Sequence, residues 1–236
     1  MRWQPEDRQT RPRRGFTLVE LLVAVAVIAI LLGILLPSLG AARRAAKQMR
    51  CAVNLREIGH AVAIYTDTHN GWLPTAEAAH HGDPGPANWW ENQDLLFTLG
   101  LEPLPRDRSV LVCPADPRPD SYINGSSKPC WSSFAANASC FGMRRGGSKR
   151  GRCYSQVAQP AEALAFCDAQ FSEGEALVVG HQGCVVHAFA YRHQGCAEAV
   201  FLDGHVEPIT PSDIPVDSDE LEAWQYPFWG NIPQFW

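Results

Sequence analysis

The chain has 236 residues and a formal net charge of −5, enough for one membrane-anchoring helix and one modest globular domain. The charge is divided: nine Lys and Arg stand against three Asp and Glu through Arg50, for +6, and eleven against twenty-two from Cys51 onward, for −11. An acidic distal part argues against nucleic-acid binding, which needs a basic face.

Residues 1–15 are polar and carry Arg2, Arg8, Arg11, Arg13 and Arg14; an apolar run follows from Phe16 to Leu36, interrupted by Glu20. About 20 apolar residues suffice to cross a bilayer as a helix. An acid at the centre of such a span costs on the order of 3 kcal/mol. Glu20 is therefore expected either to stay wet at the lipid boundary or to meet a positive charge from another subunit. An ordinary signal peptide has a shorter apolar core followed by a small-residue cleavage site. Arg43, Arg44, Lys47 and Arg50 follow the run, so charge alone orients the span weakly.

Gly15, Phe16, Thr17, Leu18, Val19 and Glu20 resemble the processing site of type IV prepilins and of type II secretion pseudopilins. The resemblance implies cleavage after Gly15 by a prepilin peptidase, methylation of the new N-terminal Phe16, and pairing of Glu20 with a neighbouring subunit's amino terminus. It places Pro37 at a common kink of the long pilin helix. The implied partners are the peptidase/methyltransferase, other pilin-like subunits, an inner-membrane assembly platform and membrane lipid. The implied location is the inner membrane, single-pass, with the head outside the cytoplasm, and a periplasmic or extracellular filament after assembly.

Helical signals continue past Pro37, which is expected to disturb the helix by removing one hydrogen bond and crowding the preceding turn. Cys51, Leu55, Ile58, Val62 and Tyr65 recur at spacings of four and three, an apolar stripe on one helix face. The pattern fades over Thr68–Gly71. The organisation expected is a cleaved leader (1–15), a long helix (16–68, membrane-spanning over about 16–36) and a head (69–236). The fold class is α+β, type IV pilin-like, with the helix packed on a C-terminal antiparallel sheet and a loop-rich insertion.

Within the head, 69–160 is rich in Pro, Gly and Trp. Asp94–Leu101 reads as a short helix, and Ser109–Cys113 as a short strand or extended segment. A basic loop from Met143 to Arg152 is flanked by Cys140 and Cys153, which a disulfide could close. Eight cysteines suit an oxidising compartment. None is spaced Cys-x-x-Cys, which argues against a zinc knuckle or ribbon. Several could equally be small buried apolar residues. Residues 161–210 read as strands joined by short turns, in an up-and-down meander at its simplest. His-Gln-Gly-Cys occurs twice, at His181–Cys184 and His193–Cys196, as a turn entering a strand each time. Asp203–Gly204 is a hairpin turn signal. The tail, 211–236, is acidic and then aromatic; its aromatics are expected to cover the head or a neighbouring subunit.

A second resemblance rests on His193 and Asp203–Gly204, with nine residues between His193 and Asp203. The chain is similar here to the prepilin-type H-X9-DG family. Cys51, Asn54, Leu55, Ile58, Gly59, Tyr65, Cys113, Pro114, Asp116, Pro160, Ala161, Glu162 and Asp168 also fit that pattern. His187, His193, Asp203 and His205 can be drawn as a metal site, but the break at His193–Gly195 favours a structural role. In that role Asp203 serves its own turn and His193 ties the adjoining loop to the hairpin. Asp213, Asp217, Asp219 and Glu220 offer hard oxygen ligands for calcium, although a solvated acidic surface explains them as well. No nucleophile–base order, phosphate-cradling loop or carboxylate pair marks an enzyme. The expected function is a processed and methylated structural subunit of a type IV pilus or a secretion pseudopilus. The alternative is a membrane-anchored extracytoplasmic binding module with a pilin-like head.

Overall fold

A computed structural model of the chain describes residues 17–78, 89, 92–101, 109–117, 132–144, 152–170, 178–179, 189–215 and 226–230. Helix α1 (Leu18–Thr68) begins in a reciprocal cap. The Thr17 hydroxyl accepts from the Glu20 amide at 3.2 Å, and Glu20 Oε2 accepts from the Thr17 amide and hydroxyl, each at 2.8 Å. This Thr-x-x-Glu box satisfies donors that a helix start otherwise leaves open. The helix runs unbroken through Pro37, against the expectation of a disturbance there. Gly33, four residues back, adds no side chain to the crowded turn, and Ser38 Oγ donates to the Leu35 carbonyl at 2.8 Å. The helix ends where expected. Asn70 and Gly71 take positive φ (55° and 84°), and the Gly71 amide donates to the Thr66 carbonyl at 2.9 Å.

The chain divides into two units, residues 1–43 and 44–236. In the first, the apolar side chains of α1 from Leu18 to Leu39 are exposed. Their best 18-residue window has a mean hydropathy of 3.0, long and apolar enough to cross a membrane.

In the second unit, α1 buries Cys51, Asn54, Leu55, Ile58, Ala61, Val62 and Thr66, the predicted stripe with its small and polar neighbours; Tyr65 packs at its edge. The strands are β1 (Glu77–Ala78), β2 (Phe134–Asn137), β3 (Met143–Arg144), β4 (Leu164–Asp168), β5 (Val178–Val179), β6 (Ala197–Phe201) and β7 (Val206–Ile209). The main sheet is antiparallel in the order β2-β4-β6-β7. β5 adds a two-residue parallel pairing outside β2, and β1 pairs separately with β3. The chain is therefore not a simple meander: β4 already has β2 and β6 on its two edges, so Val178–Val179 goes to the free edge of β2.

Central strands β4 and β6 are buried along their whole length. Glu198 and Val200 face α1: Gln48 Nε2 donates to Glu198 Oε1 at 2.7 Å, and Val200 lies against Gly59. On the other face, Phe201 meets Phe228 edge-on, and Trp229 is fully buried, so among the described tail residues these two aromatics pack on the head, while Tyr226 stays exposed. β7 is the outer strand, and its exposed Glu207 and Pro208 suit an unpaired edge.

The remaining elements are short. Helix α2 (Gln93–Thr98) is capped by Asn92 and overlaps the helix expected over 94–101, beginning one residue earlier and ending three residues sooner. Helix α3 (Ala138–Phe141) is capped by the buried Asn137. Ser109–Leu111 is a tight helical turn and not a strand, and its Leu111 carbonyl accepts from the Ser133 amide and the Ser132 hydroxyl. Among the described residues every cysteine is free. Cys140 lies under Trp229, donating to its carbonyl at 3.7 Å, whereas Cys153 sits at the surface beside Ser155 at 3.2 Å, so the expected 140–153 bridge is absent. Cys130, Cys184 and the first His-Gln-Gly-Cys copy lie outside the described residues.

A Cβ at Gly59 would approach Val200 Cγ2 to 2.8 Å. Val200 is buried and β-branched, so it has little room to yield. Gly59→Val should cost about 1–3 kcal/mol through overpacking. The exposed Arg56→Ala should stay within about 0.5 kcal/mol. Urea unfolding of the full chain in detergent, followed by tryptophan fluorescence, measures both; equal midpoints would contradict the close approach.

Candidate functional site

Four segments of the head deliver polar side chains to one buried point. α1 supplies Cys51 from the start of its stripe. The turn after Ser109–Leu111 supplies Cys113. β4 ends on Asp168. His193 comes from the turn into β6, where Gln194 and Gly195 both have positive φ (58° and 90°) and His193 and Cys196 exchange backbone bonds of 3.1 Å. That is the two-residue turn type that demands left-handed residues. Asn54 Nδ2, one turn along α1, holds the Val112 carbonyl at 3.0 Å and so fixes the position of Cys113.

All four side chains are buried, His193 being the least so at 4% exposure. His193 Nε2 lies 2.9 Å from Asp168 Oδ2 and 3.3 Å from Cys113 Sγ; the Cys51 thiol donates to Asp168 Oδ2 at 3.5 Å. The two sulfurs, the nitrogen and the carboxylate oxygen all lie within 4.8 Å of one another. Arg192 closes the other side of Asp168. Its Nη1 donates to Oδ1 at 2.6 Å, and its Nη2 reaches the Ala169 carbonyl at 2.6 Å and Asp116 Oδ2 at 3.2 Å. Asp116 in turn accepts from Ser133 Oγ at 2.6 Å. Asp168 is thus held by Arg192 through one oxygen and offers the other to His193 and Cys51.

The electrostatics follow from this packing. Burial alone would depress the His193 imidazole, but its hydrogen bonds to Asp168 and Cys113 prevail and lift it to about 9. The hydrogen bond between the two thiols pushes Cys51 up, with burial and the Asp168 charge adding to the effect. The same bond draws Cys113 down against the opposing effect of burial.

At the other end of the chain, residues 10–36 match the prokaryotic N-terminal methylation motif. Over 117 residues the chain is 29% identical to the type IV wide pilus major component PilA4 of Thermus thermophilus, a match covering 50% of this chain and 76% of that protein. No solved structure matches the chain. The chain thus carries a prokaryotic N-terminal methylation motif and is similar, over half its length, to a type IV pilus component.

The residues singled out from the sequence fall in separate places. Gly15 and Phe16 lie outside the described residues; Glu20 caps α1 on the exposed apolar segment. His193 and Asp203 do not meet. Asp203 Oδ1 accepts from the His205 amide at 3.1 Å and contacts His205 Nδ1 at 2.6 Å, serving its own turn as expected. Gly204 takes the positive φ of that turn (92°). His193 does not tie its loop to the hairpin, because it turns inward to Asp168, the nearest buried acceptor. Asp213 accepts from the Thr210 amide and hydroxyl, each at 2.7 Å, within a local turn; Asp217, Asp219 and Glu220 lie outside the described residues. Sequence reasoning missed the convergence of Cys51, Cys113, Asp168 and His193, because metal-ligand motifs are sought at short spacings and these four are scattered along the head.

Arg192 and Asp168 form a buried pair, with side chains 11% and 0% exposed. Removing one partner of such a pair costs about 3–5 kcal/mol. Arg192→Met should therefore lower the urea midpoint strongly, whereas Asp203→Ala, in an exposed turn, should cost about 1 kcal/mol. A larger loss for Asp203→Ala would reverse the assignment of which motif acid the head depends on.

Proposed function

We propose that this chain is cut after Gly15, methylated on Phe16 and assembled as a structural subunit of a type IV pilus. The observation that carries this reading is the methylation motif running directly into an apolar helix whose side chains find no cover in their own unit. The similarity to a wide-pilus component supports a pilus over a secretion pseudopilus. On this reading the chain sits in the inner membrane as a single span with its head outside, and is processed by a prepilin peptidase/methyltransferase. It then leaves lipid for a filament built with other pilin-like subunits on an assembly platform. Glu20 then exchanges the Thr17 donors for the amino terminus of a neighbouring subunit. Placement in the H-X9-DG group is part of the same proposal, supported by the meeting in space of Cys51, Cys113, Asp168 and His193, four positions that carry that resemblance.

Two measurements test it. Mass spectrometry of protein recovered from cells with an active peptidase should find Phe16 at the N-terminus, one methyl group heavier than unmodified phenylalanine; a chain still beginning at Met1 rejects the processing step. Glu20→Ala should be cut and methylated normally yet yield at least about tenfold less filament, the loss expected from about 1.4 kcal/mol per contact. Wild-type filament yield from that variant would remove Glu20 from assembly.

A further inference from the structure

We infer that Cys51, Cys113, Asp168 and His193 form a structural zinc site that fastens the distal half of α1 to the head. The inference stands apart from filament assembly and rests on four observations.

The first is the donor set. Two sulfurs, an imidazole nitrogen and a carboxylate oxygen are the ligand types of tetrahedral Zn²⁺, and the thiolates disfavour the hard cations calcium and magnesium. The second is the spacing. Zn–S of about 2.3 Å and Zn–N or Zn–O of about 2.0–2.1 Å put S···O and S···N tetrahedral edges near 3.6 Å and the N···O edge near 3.3 Å. Three of the six edges already stand at 3.5, 3.3 and 2.9 Å, each within a few tenths of an ångström of these values, and all four donor atoms lie within 4.8 Å of one another. The third is the support around the ligands. Arg192 grips the Asp168 oxygen that does not face the cluster, and Asn54 fixes the turn that carries Cys113. Such partners orient metal ligands. The fourth is burial. All four ligand residues are enclosed, which leaves no position open for a substrate and makes the site structural rather than catalytic.

A Cys51–Cys113 disulfide is the competing chemistry. It would use two of the four groups and leave His193 with Asp168 alone as its partner there, whereas a four-coordinate ion uses every group gathered at the point. Binding Zn²⁺ displaces the thiol protons and the proton on His193 Nε2 to solvent and involves no electron transfer, so the site needs no oxidant or reductant. It would join α1, the Cys113 turn, β4 and the entry to β6, segments otherwise linked only through side-chain packing and hydrogen bonds.

The test uses the full chain purified in detergent without chelator. Elemental analysis should find one zinc per chain. After removal of zinc under reducing conditions, Co²⁺ titration should saturate at one equivalent, with the intense visible bands of tetrahedral cobalt and a near-ultraviolet thiolate charge-transfer band. Cys113→Ser and His193→Phe should abolish stoichiometric binding. His193→Cys should retain it with a stronger charge-transfer band, a result that loss of folding cannot mimic. Asp203→Ala should bind as the parent does. Two results overturn the inference: a Cys51–Cys113 disulfide in the freshly isolated protein, or no tetrahedral cobalt spectrum from the reduced parent chain whose circular dichroism is native.

Discussion

A carboxylate with no exposure to water, at the end of a central strand, is the constraint around which the head is arranged. Asp168 lies where the sheet, the long helix and two turns converge, and a charge in such a place must be answered by donors or counter-charges. Arg192 answers one oxygen; His193 and Cys51 answer the other. Each partner arrives on a different segment, so the acid's requirement becomes a requirement on topology. β4 must run between β2 and β6, the turn at Gln194–Gly195 must be left-handed, and α1 must approach closely enough for Cys51 to reach.

That approach is set by a second, purely steric condition. Gly59 lets α1 come within van der Waals contact of Val200, and Gln48 and Asn54 bond to Glu198 and to the Val112 carbonyl on either side of Cys51. The apolar stripe supplies the driving force for docking. The glycine sets the depth, and the polar contacts set the register. Hydrophobic burial alone is non-directional and would tolerate a helix shifted by a turn; the pairing of Cys51 with Asp168 would not.

These conditions differ in how they are written in the sequence. The long helix, its stripe, its end near Asn70 and the Asp203–Gly204 hairpin are local patterns, and each was legible from spacing and turn chemistry. The strand order was not. Whether Val178–Val179 pairs with β4 or with β2 depends on which edges are already occupied, which no window of sequence contains. Ser109–Leu111 misled for a related reason: its apolar composition reflects burial, which a tight turn satisfies as well as a strand does. The same holds for His193. Its spacing from Asp203 suggested a partner along the chain, while the acid it meets lies on β4. Cys51, Cys113 and Asp168 were noted through resemblance, but nothing in the sequence connected them with His193.

The beginning of α1 is governed by different physics. There the helix is apolar all round, and its one acid is satisfied by neutral donors from Thr17 in the same turn. A cap of this kind holds a carboxylate in place without using up its charge. Thr17 contributes two hydrogen bonds from neutral donors, whereas an ammonium group contributes hydrogen bonds and a counter-charge. In a filament of the proposed kind the exchange therefore runs downhill, and most steeply where lipid or packed helices exclude water. The cap keeps Glu20 ordered and accessible on a lone subunit, and on the proposed reading the amino terminus that cleavage after Gly15 would expose supplies a stronger partner. Cleavage would thus create the donor that assembly requires, which couples the order of the two steps to chemistry rather than to timing.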